Sequence, residues 1–189
     1  MSDKERPRRE GGRVLPVLYY GHPVLRAKAK PIESIDDDIR QLVCDMIETM
    51  WEDDGMGLAA PQVGRSLRLF VMSVPEEAEH GEGWVYPEPT VYINPVLTCP
   101  SEDAWVMDEG CLSIPGVRGK VRRPLRIHVR ALNEKGEEFE QDLHGWDARC
   151  VMHENDHLNG VLYPDRMTPD DRRKIEGHLR YLKKQYRPK

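Results

Sequence analysis

His153-Glu154-Asn155-Asp156-His157 decides how the rest of this sequence is read. An α-helix turns about 100° and rises about 1.5 Å per residue, so the two imidazoles stand on one face, about 40° apart, with Glu154 at its edge. Two histidines that can share a metal beside a carboxylate are the apparatus of metal-assisted hydrolysis. The helix that carries them should run from about Trp146 to Leu158 and stop at Asn159-Gly160, a pair suited to a left-handed cap. Two imidazoles leave the coordination incomplete, so the identity of the third ligand separates a protease from other hydrolases.

One protease class extends the motif to a third histidine, and here Tyr163 stands at that position. Another class uses a downstream glutamate, for which Glu176 has the right distance. Pro164 and Pro169 separate the two segments, however, and Glu176 belongs to a basic stretch where Arg172 and Arg180 are its i, i+4 neighbours. Glu109-Gly110-Cys111-Leu112-Ser113 offers a better ligand, because a cysteine thiolate with two histidines leaves a fourth position open. Gly110 and Gly116 allow close backbone approach and can present an N–H. In Gly55-Met56-Gly57-Leu58-Ala59-Ala60-Pro61-Gln62-Val63-Gly64, small residues surround one amide, and Gln62 can donate to an oxygen that becomes negative in a transition state. No Gly-Lys-Ser/Thr follows it, so it is not a phosphate loop. Two rivals stay open on the residues alone: an endopeptidase using Glu176, and a purely structural metal site, which leaves Glu154 and Gln62 without a role.

The 189 residues are enough for one domain with a sizeable core. A net charge of -5, from 28 Lys+Arg against 33 Asp+Glu, gives no global attraction to nucleic acid and none that is sequence-specific. No apolar run approaches the roughly 20 residues that span a bilayer, and the first thirteen residues are charged, without the apolar stretch of a secretory signal. A cytoplasmic protein with a flexible arm over 1–13 is expected, its cysteines Cys44, Cys99, Cys111 and Cys150 reduced, since none forms a Cys-x-x-Cys pair. His22, His80, His128, His144 and His178 lack comparable partners and read as structural or surface residues.

From Ser34 onward, Ile39, Leu42, Val43, Met46, Ile47 and Met50 trace an amphipathic helix. Residues 68–74 and 90–97 read as strands, 75–89 as a surface loop, and 125–132 with 137–143 as a hairpin turning at Gly136. A last helix starts at Thr168-Pro169, with the apolar stripe Ile175, Leu179, Leu182 and Tyr186. Its other face carries Arg172, Arg173, Lys174, Arg180, Lys183, Lys184 and Arg187. The fold class expected is α+β, a single domain with antiparallel or mixed sheets around the central helix of the two histidines, plus a C-terminal helix.

Taken together, GMGLAAPQVG at 55–64, EGCLSIPG at 109–116 and HENDHLNG at 153–160 resemble the three signature motifs of peptide deformylases, in that family's order. GHPVLR at 21–26, YINP at 92–95, RGKVRRP at 118–124 and GWDARC at 145–150 extend the resemblance over residues 14–168, the catalytic domain, leaving 169–189 as a basic amphipathic helix. The resemblance implies an α+β metallohydrolase that removes the formyl group from the initiator methionine of nascent chains. It places metal ligands at Cys111, His153 and His157, the acid/base at Glu154, and oxyanion donors at the Gln62 amide and the Leu112 N–H. It places substrate-backbone contacts near Gly57 and Gly110, the peptide groove at Arg118, and the methionine pocket near Met56, Leu112, Trp146, Arg149 and Cys150. The favoured ion is ferrous iron, with zinc, nickel and cobalt also admitted by the donor set. The chain departs from the family at Met152, usually glutamine, and at Asn155, usually apolar. A further expectation is that the basic helix touches ribosomal RNA where the substrate emerges.

Overall fold

The computed structural model describes residues 6–78 and 83–186, so His80, Arg187 and the first five residues of the arm lie outside it. In chain order, α1 (Asp37–Glu52) is followed by β1 (Gly57–Ala59), β2 (Leu69–Met72), β3 (Glu76–Glu77), β4 (Trp84–Val85), β5 (Thr90–Thr98), β6 (Ala104–Cys111), β7 (Ile114–Pro124), β8 (Arg126–Leu132), β9 (Glu138–His144), α2 (Gly145–Leu158) and α3 (Pro169–Gln185). The main sheet has the order β1-β2-β5-β8-β9, and each of its pairings is antiparallel. Among the described residues, parallel character is confined to an isolated bridge between Lys30 and Leu67.

The helix expected from Ser34 starts at Asp37, because the Asp36 carboxylate accepts the Ile39 N–H and so fixes the cap there. Strand β2 shows why the sheet is central. All four of its residues are buried: Phe70 and Met72 face Val151, Met152 and Leu158 of α2, while Leu69 and Val71 face Val43, Ile47 and Met50 of α1. An unbroken apolar run is what a strand covered on both faces requires, and each such side chain contributes about 1.5–3 kcal/mol on burial. On β8, Ile127, Val129 and Ala131 alternate inward, as the pleat dictates.

Helix α2 has the main sheet on one side and the β6–β7 hairpin on the other, so ten of its fourteen residues are buried and it shows no simple apolar stripe. Its cap uses Gly160 at φ 70°, where a side chain would also meet the Arg26 carbonyl at 2.6 Å. The third core lies beyond α2. There Ile175, Leu179 and Leu182 of α3 pack on Ile114, Val121 and Tyr163, and Tyr186 reaches Tyr19 with ring centroids 4.3 Å apart.

Three features differ from the sequence reading. The long β6–β7 pair was not foreseen. The surface loop over 75–89 contains the short pair β3 and β4. Residues 6–13, expected as a flexible arm, lie along α1, with Trp51 Nε1 donating to the Pro7 carbonyl at 2.8 Å and Arg13 paired to Asp45 at 3.0 Å.

Candidate metal centre

Strands β6 and β7 reverse through Leu112-Ser113, which leaves Cys111 paired with Ile114 and facing α2. Cys111 Sγ lies 3.3 Å from His157 Nε2, and one ligand atom from each of Cys111, His153 and His157 falls within 4.8 Å of the others. Metal–sulfur and metal–nitrogen bonds of about 2.3 and 2.0–2.1 Å at a tetrahedral angle put the two atoms roughly 3.5 Å apart, so the spacing fits a shared cation. Glu176 is not in this group; it pairs with Arg172 at 3.7 Å on the surface of α3.

The two imidazoles are held differently. His153 Nδ1 meets Glu109 Oε2 at 3.0 Å, which turns Nε2 toward the cluster. Glu109 also accepts from Arg123 Nε at 2.6 Å, Arg123 Nη2 at 2.9 Å and Arg149 Nη1 at 2.5 Å. Arg123 passes the chain on to Asp156 at 2.9 Å, which Arg166 closes at 2.6 Å. Burial alone would raise the Glu109 carboxyl, yet hydrogen bonds from Arg123 and His153 hold it well below the usual range. His157 Nδ1 is buried with no partner among the described residues. Burial, then the neighbouring His153, pushes His157 well down and keeps it in the neutral form that ligates. His153 is pushed well up: burial opposes the proton, but Cys111 and Glu109 outweigh it. The negative charge that favours a proton at this point favours a cation equally.

Glu154 is 4% exposed, and its Oε2 has no hydrogen-bond partner among the described residues. Burial first, with Glu109 and Asp156 adding, lifts its carboxyl to about 7 against the pull of His153 and Arg123. Strand β1 presses on it so closely that a methyl group at Gly57 would stand 2.6 Å from Glu154 Oε1. Gln62 sits in a 3-10 turn, Ala60–Val63. Its Oε1 accepts the Ala59 N–H at 2.8 Å, which aims Nε2 at Ser113 Oγ, 3.2 Å away, and Cys111 Sγ, 3.5 Å away.

These groups open into a cleft of about 570 Å³. Met56, Gly57, Gln62, Gly110, Cys111, Leu112, Arg118, Trp146, Arg149, Cys150, His153 and Glu154 all line it, while His157 stands behind at 1% exposure. Arg149 differs from the rest: its guanidinium turns away to Glu109, the Val121 carbonyl and the Trp105 carbonyl, so it braces the wall. Burial pushes the Cys150 thiol well up, which suits an apolar lining and not a nucleophile. Met152 belongs to the core between α2 and the sheet, and Asn155 Oδ1 accepts weakly from Arg68 at 3.4 Å. Among the other histidines, His22 caps Val24 N–H, His128 meets Asp142 and His178 donates to the Pro115 carbonyl.

Sequence reasoning missed Glu109 and Arg123. The available signal was spacing, since alternation along a strand puts Glu109 and Cys111 on one side, but that needed β6 to be recognised as a strand.

A family model described as polypeptide deformylase matches residues 14–173. A peptide deformylase of Chlorobaculum parvum is 44% identical over 171 residues, 90% of this chain and 88% of that protein. Among solved structures, a peptide deformylase from Thermotoga maritima is 42% identical with TM-score 0.73, covering 83% of this chain and 99% of that one. One from Ehrlichia chaffeensis is 38% identical with TM-score 0.81, covering 92% and 97%.

Proposed function

The chain belongs to the polypeptide deformylase family, and from that premise we propose which of its residues remove the N-formyl group from the terminal methionine of newly made polypeptides, and how. The observation that carries the reading is the convergence of the Cys111, His153 and His157 ligand atoms beside the Glu154 carboxylate, whose Oε2 has no partner among the described residues. A divalent cation held by that set supplies Lewis acidity, polarising a carbonyl and lowering the pKa of water toward neutrality. Glu154 takes the proton of the attacking water, and burial matches its basicity to that task near neutral pH. The Gln62 amide and the Leu112 N–H face the oxygen that turns negative as the formyl carbon becomes tetrahedral; one such donor is typically worth about 2.7–4 kcal/mol of barrier. Glu154 then returns the proton to the departing amine nitrogen, releasing formate and a free methionine N-terminus. Gly57 and Gly110 offer backbone to the peptide, Arg118 lies along its groove, and Met56, Leu112, Trp146 and Cys150 receive the methionine side chain.

The decisive experiment is Glu154→Ala, loaded with metal and assayed on a formyl-Met peptide. Metal retained with activity down by at least about a hundredfold supports the role; an unchanged rate refutes it. Ferrous iron is our assignment, resting on the resemblance, and metal analysis after anaerobic purification decides it against zinc, nickel and cobalt.

We assign the catalytic unit to residues 14–168 and the protein to the cytoplasm; no described helix is long and apolar enough to cross a membrane. The basic end of α3 is proposed to touch ribosomal RNA. Its first turn is already paired, Arg173 with Asp170 and Lys174 with Asp171, which leaves Arg180, Lys183 and Lys184 for the contact. Because α3 is part of a core, charge reversal at these three positions tests the contact better than deletion. Salt-dependent ribosome binding that survives the reversal would sink it.

A further inference from the structure

Residues 6–13 precede the stretch matched by the family model, 14–173, yet one of them reaches the mouth of the cleft. Arg6 Nη1 donates to the Trp51 carbonyl at 2.6 Å and Nη2 to Asp54 Oδ1 at 2.6 Å. Its guanidinium lies over two rings, 5.5 Å from the Trp51 centroid and 4.9 Å from that of Tyr86. Trp51 in turn donates to the Pro7 carbonyl at 2.8 Å, so the arm is fixed at adjacent points. A single planar fork thereby joins the end of α1, the turn that follows it and the segment that carries Tyr86.

That turn is the rim of the cleft. Asp53, Asp54, Gly55 and Met56 line it and lead directly into Gly57, which abuts Glu154. The turn has its own helix-ending bonds, and its far end is tied where the Met56 carbonyl accepts the Ser73 N–H at 2.9 Å. Asp54 N–H reaches the Trp51 carbonyl at 3.3 Å, Gly55 N–H reaches Met50 at 2.8 Å, and Asp54 sits at φ 54°, a conformation that L side chains rarely adopt. The Trp51 carbonyl that Arg6 grips is thus one of the two that close the turn. Arg6 adds to those bonds a link from the turn to the rings of Trp51 and Tyr86.

We propose that Arg6 is a positioning residue for substrate: it holds the Asp53-Asp54-Gly55-Met56 rim against which the peptide beyond the formylmethionine lies. This rests on the deformylase reading of the site. The reacting formyl group belongs at the Gly57 end, beside Glu154, and later residues of the peptide pass the outer end at Asp53 and Asp54. A loosened rim therefore costs long substrates more than short ones. Lysine cannot stand in, because it has no fork to bond a carbonyl and a carboxylate while stacking on two rings.

The test compares Arg6→Ala, Arg6→Lys and Asp54→Ala in the full chain, using a formylated dipeptide and a formylated pentapeptide. For Arg6→Ala the KM for the pentapeptide should rise about five- to tenfold, with kcat and the dipeptide KM within about twofold. Arg6→Lys should recover little of the loss, Asp54→Ala should repeat it, and the double variant should be no worse than either single change. Amide hydrogen exchange at Gly55 and Gly57 should quicken by about tenfold in Arg6→Ala, a readout independent of turnover. Unchanged exchange, or an equal loss on both peptides, overturns the proposal. A wild-type protein inert toward every formyl peptide would instead remove the deformylase reading, and the substrate role of the rim with it.

Discussion

The charges behind His153 and those that open α3 are alike in pairing carboxylates with basic side chains, and they do different work. Glu109, Arg123, Arg149 and Asp156 meet at exposures of 5, 4, 2 and 5%. On the first turns of α3, Asp170 with Arg173 and Lys174 with Asp171 pair with side chains 79, 75, 73 and 23% exposed. Water screens the second set, so its members hold one another loosely. Desolvation makes the first set interdependent, because any member left alone is a buried charge without a partner. A buried ion network is not in itself a source of stability; apolar residues of similar volume often serve as well. Its use here is orientation. Through Glu109 it reaches His153 Nδ1 and thereby aims the other ring nitrogen at the metal position.

Glu109 is where the two sets of charges differ most. Glu109→Ala removes at once the carboxylate that Arg123, Arg149 and the His153 ring share, leaving two buried guanidinium groups with only Asp156 and backbone carbonyls, so chemical denaturation should show a loss of about 3–5 kcal/mol. Metal titration of the folded variant should show affinity down about 10- to 100-fold, as expected when the group orienting a ligand is removed. Asp156→Asn sharpens the contrast within the network. Asp156 binds Arg123 and Arg166 and, among the described residues, makes no side-chain hydrogen bond to either imidazole. Its loss should cost about 1–3 kcal/mol while metal affinity stays within a few-fold. Equal metal losses in the two variants would show that the network acts as a block and that Glu109 has no special position in it.

What the sequence reveals divides along the same line. Helix α2 and its ligands were legible because one short segment carries both the helical spacing and the donor chemistry. Strand β2 was legible because four consecutive apolar residues are buried on both faces. The hairpin that supplies Cys111 was not. Its strands carry Gly110, Gly116, Gly119, Pro115 and Pro124, and its inward positions include Glu109 and Arg123, which read as surface residues until their partners from α2 are in place. Tertiary pairing of charges erased the alternation that would have marked the strands. The contacts of residues 6–13 were illegible for a related reason. Charge and lack of periodicity pointed to a solvated arm, while Arg6 finds its rings and carboxylate only after α1 and Tyr86 have been brought together.

Asp165 stands between the two extremes. It is 28% exposed at its side chain, pairs with Arg26 and with Arg172 at 3.0 Å, and accepts the Leu162 N–H at 2.9 Å. Burial alone would raise its carboxyl, but the bonds from Arg26 and Leu162 reverse that and hold it low. A depressed carboxyl stabilises the fold above its unfolded pKa and loses that contribution as pH falls through the folded value. Asp165→Asn should therefore cost about 1 kcal/mol at pH 7, within the range for a partly screened charge. The gap to wild type should narrow below the ordinary aspartate range and close only as pH falls through the depressed folded value. A gap that persisted in acid would assign the effect to hydrogen bonding rather than charge.

Arg173→Ala should do least. Arg173 and Asp170 are a helix i, i+3 pair on the outermost face of α3, and the apolar contacts of that helix belong to Ile175, Leu179 and Leu182. An aspartate in the first turn already interacts favourably with the helix dipole whether or not an arginine follows. Removing the guanidinium should leave the denaturation midpoint within error at physiological salt, and adding salt should change neither protein relative to the other. A clear, salt-sensitive loss would mean that surface charge on α3 contributes to the fold after all. The division between buried orientation and solvated ornament would then have to be redrawn through the helix rather than at its start.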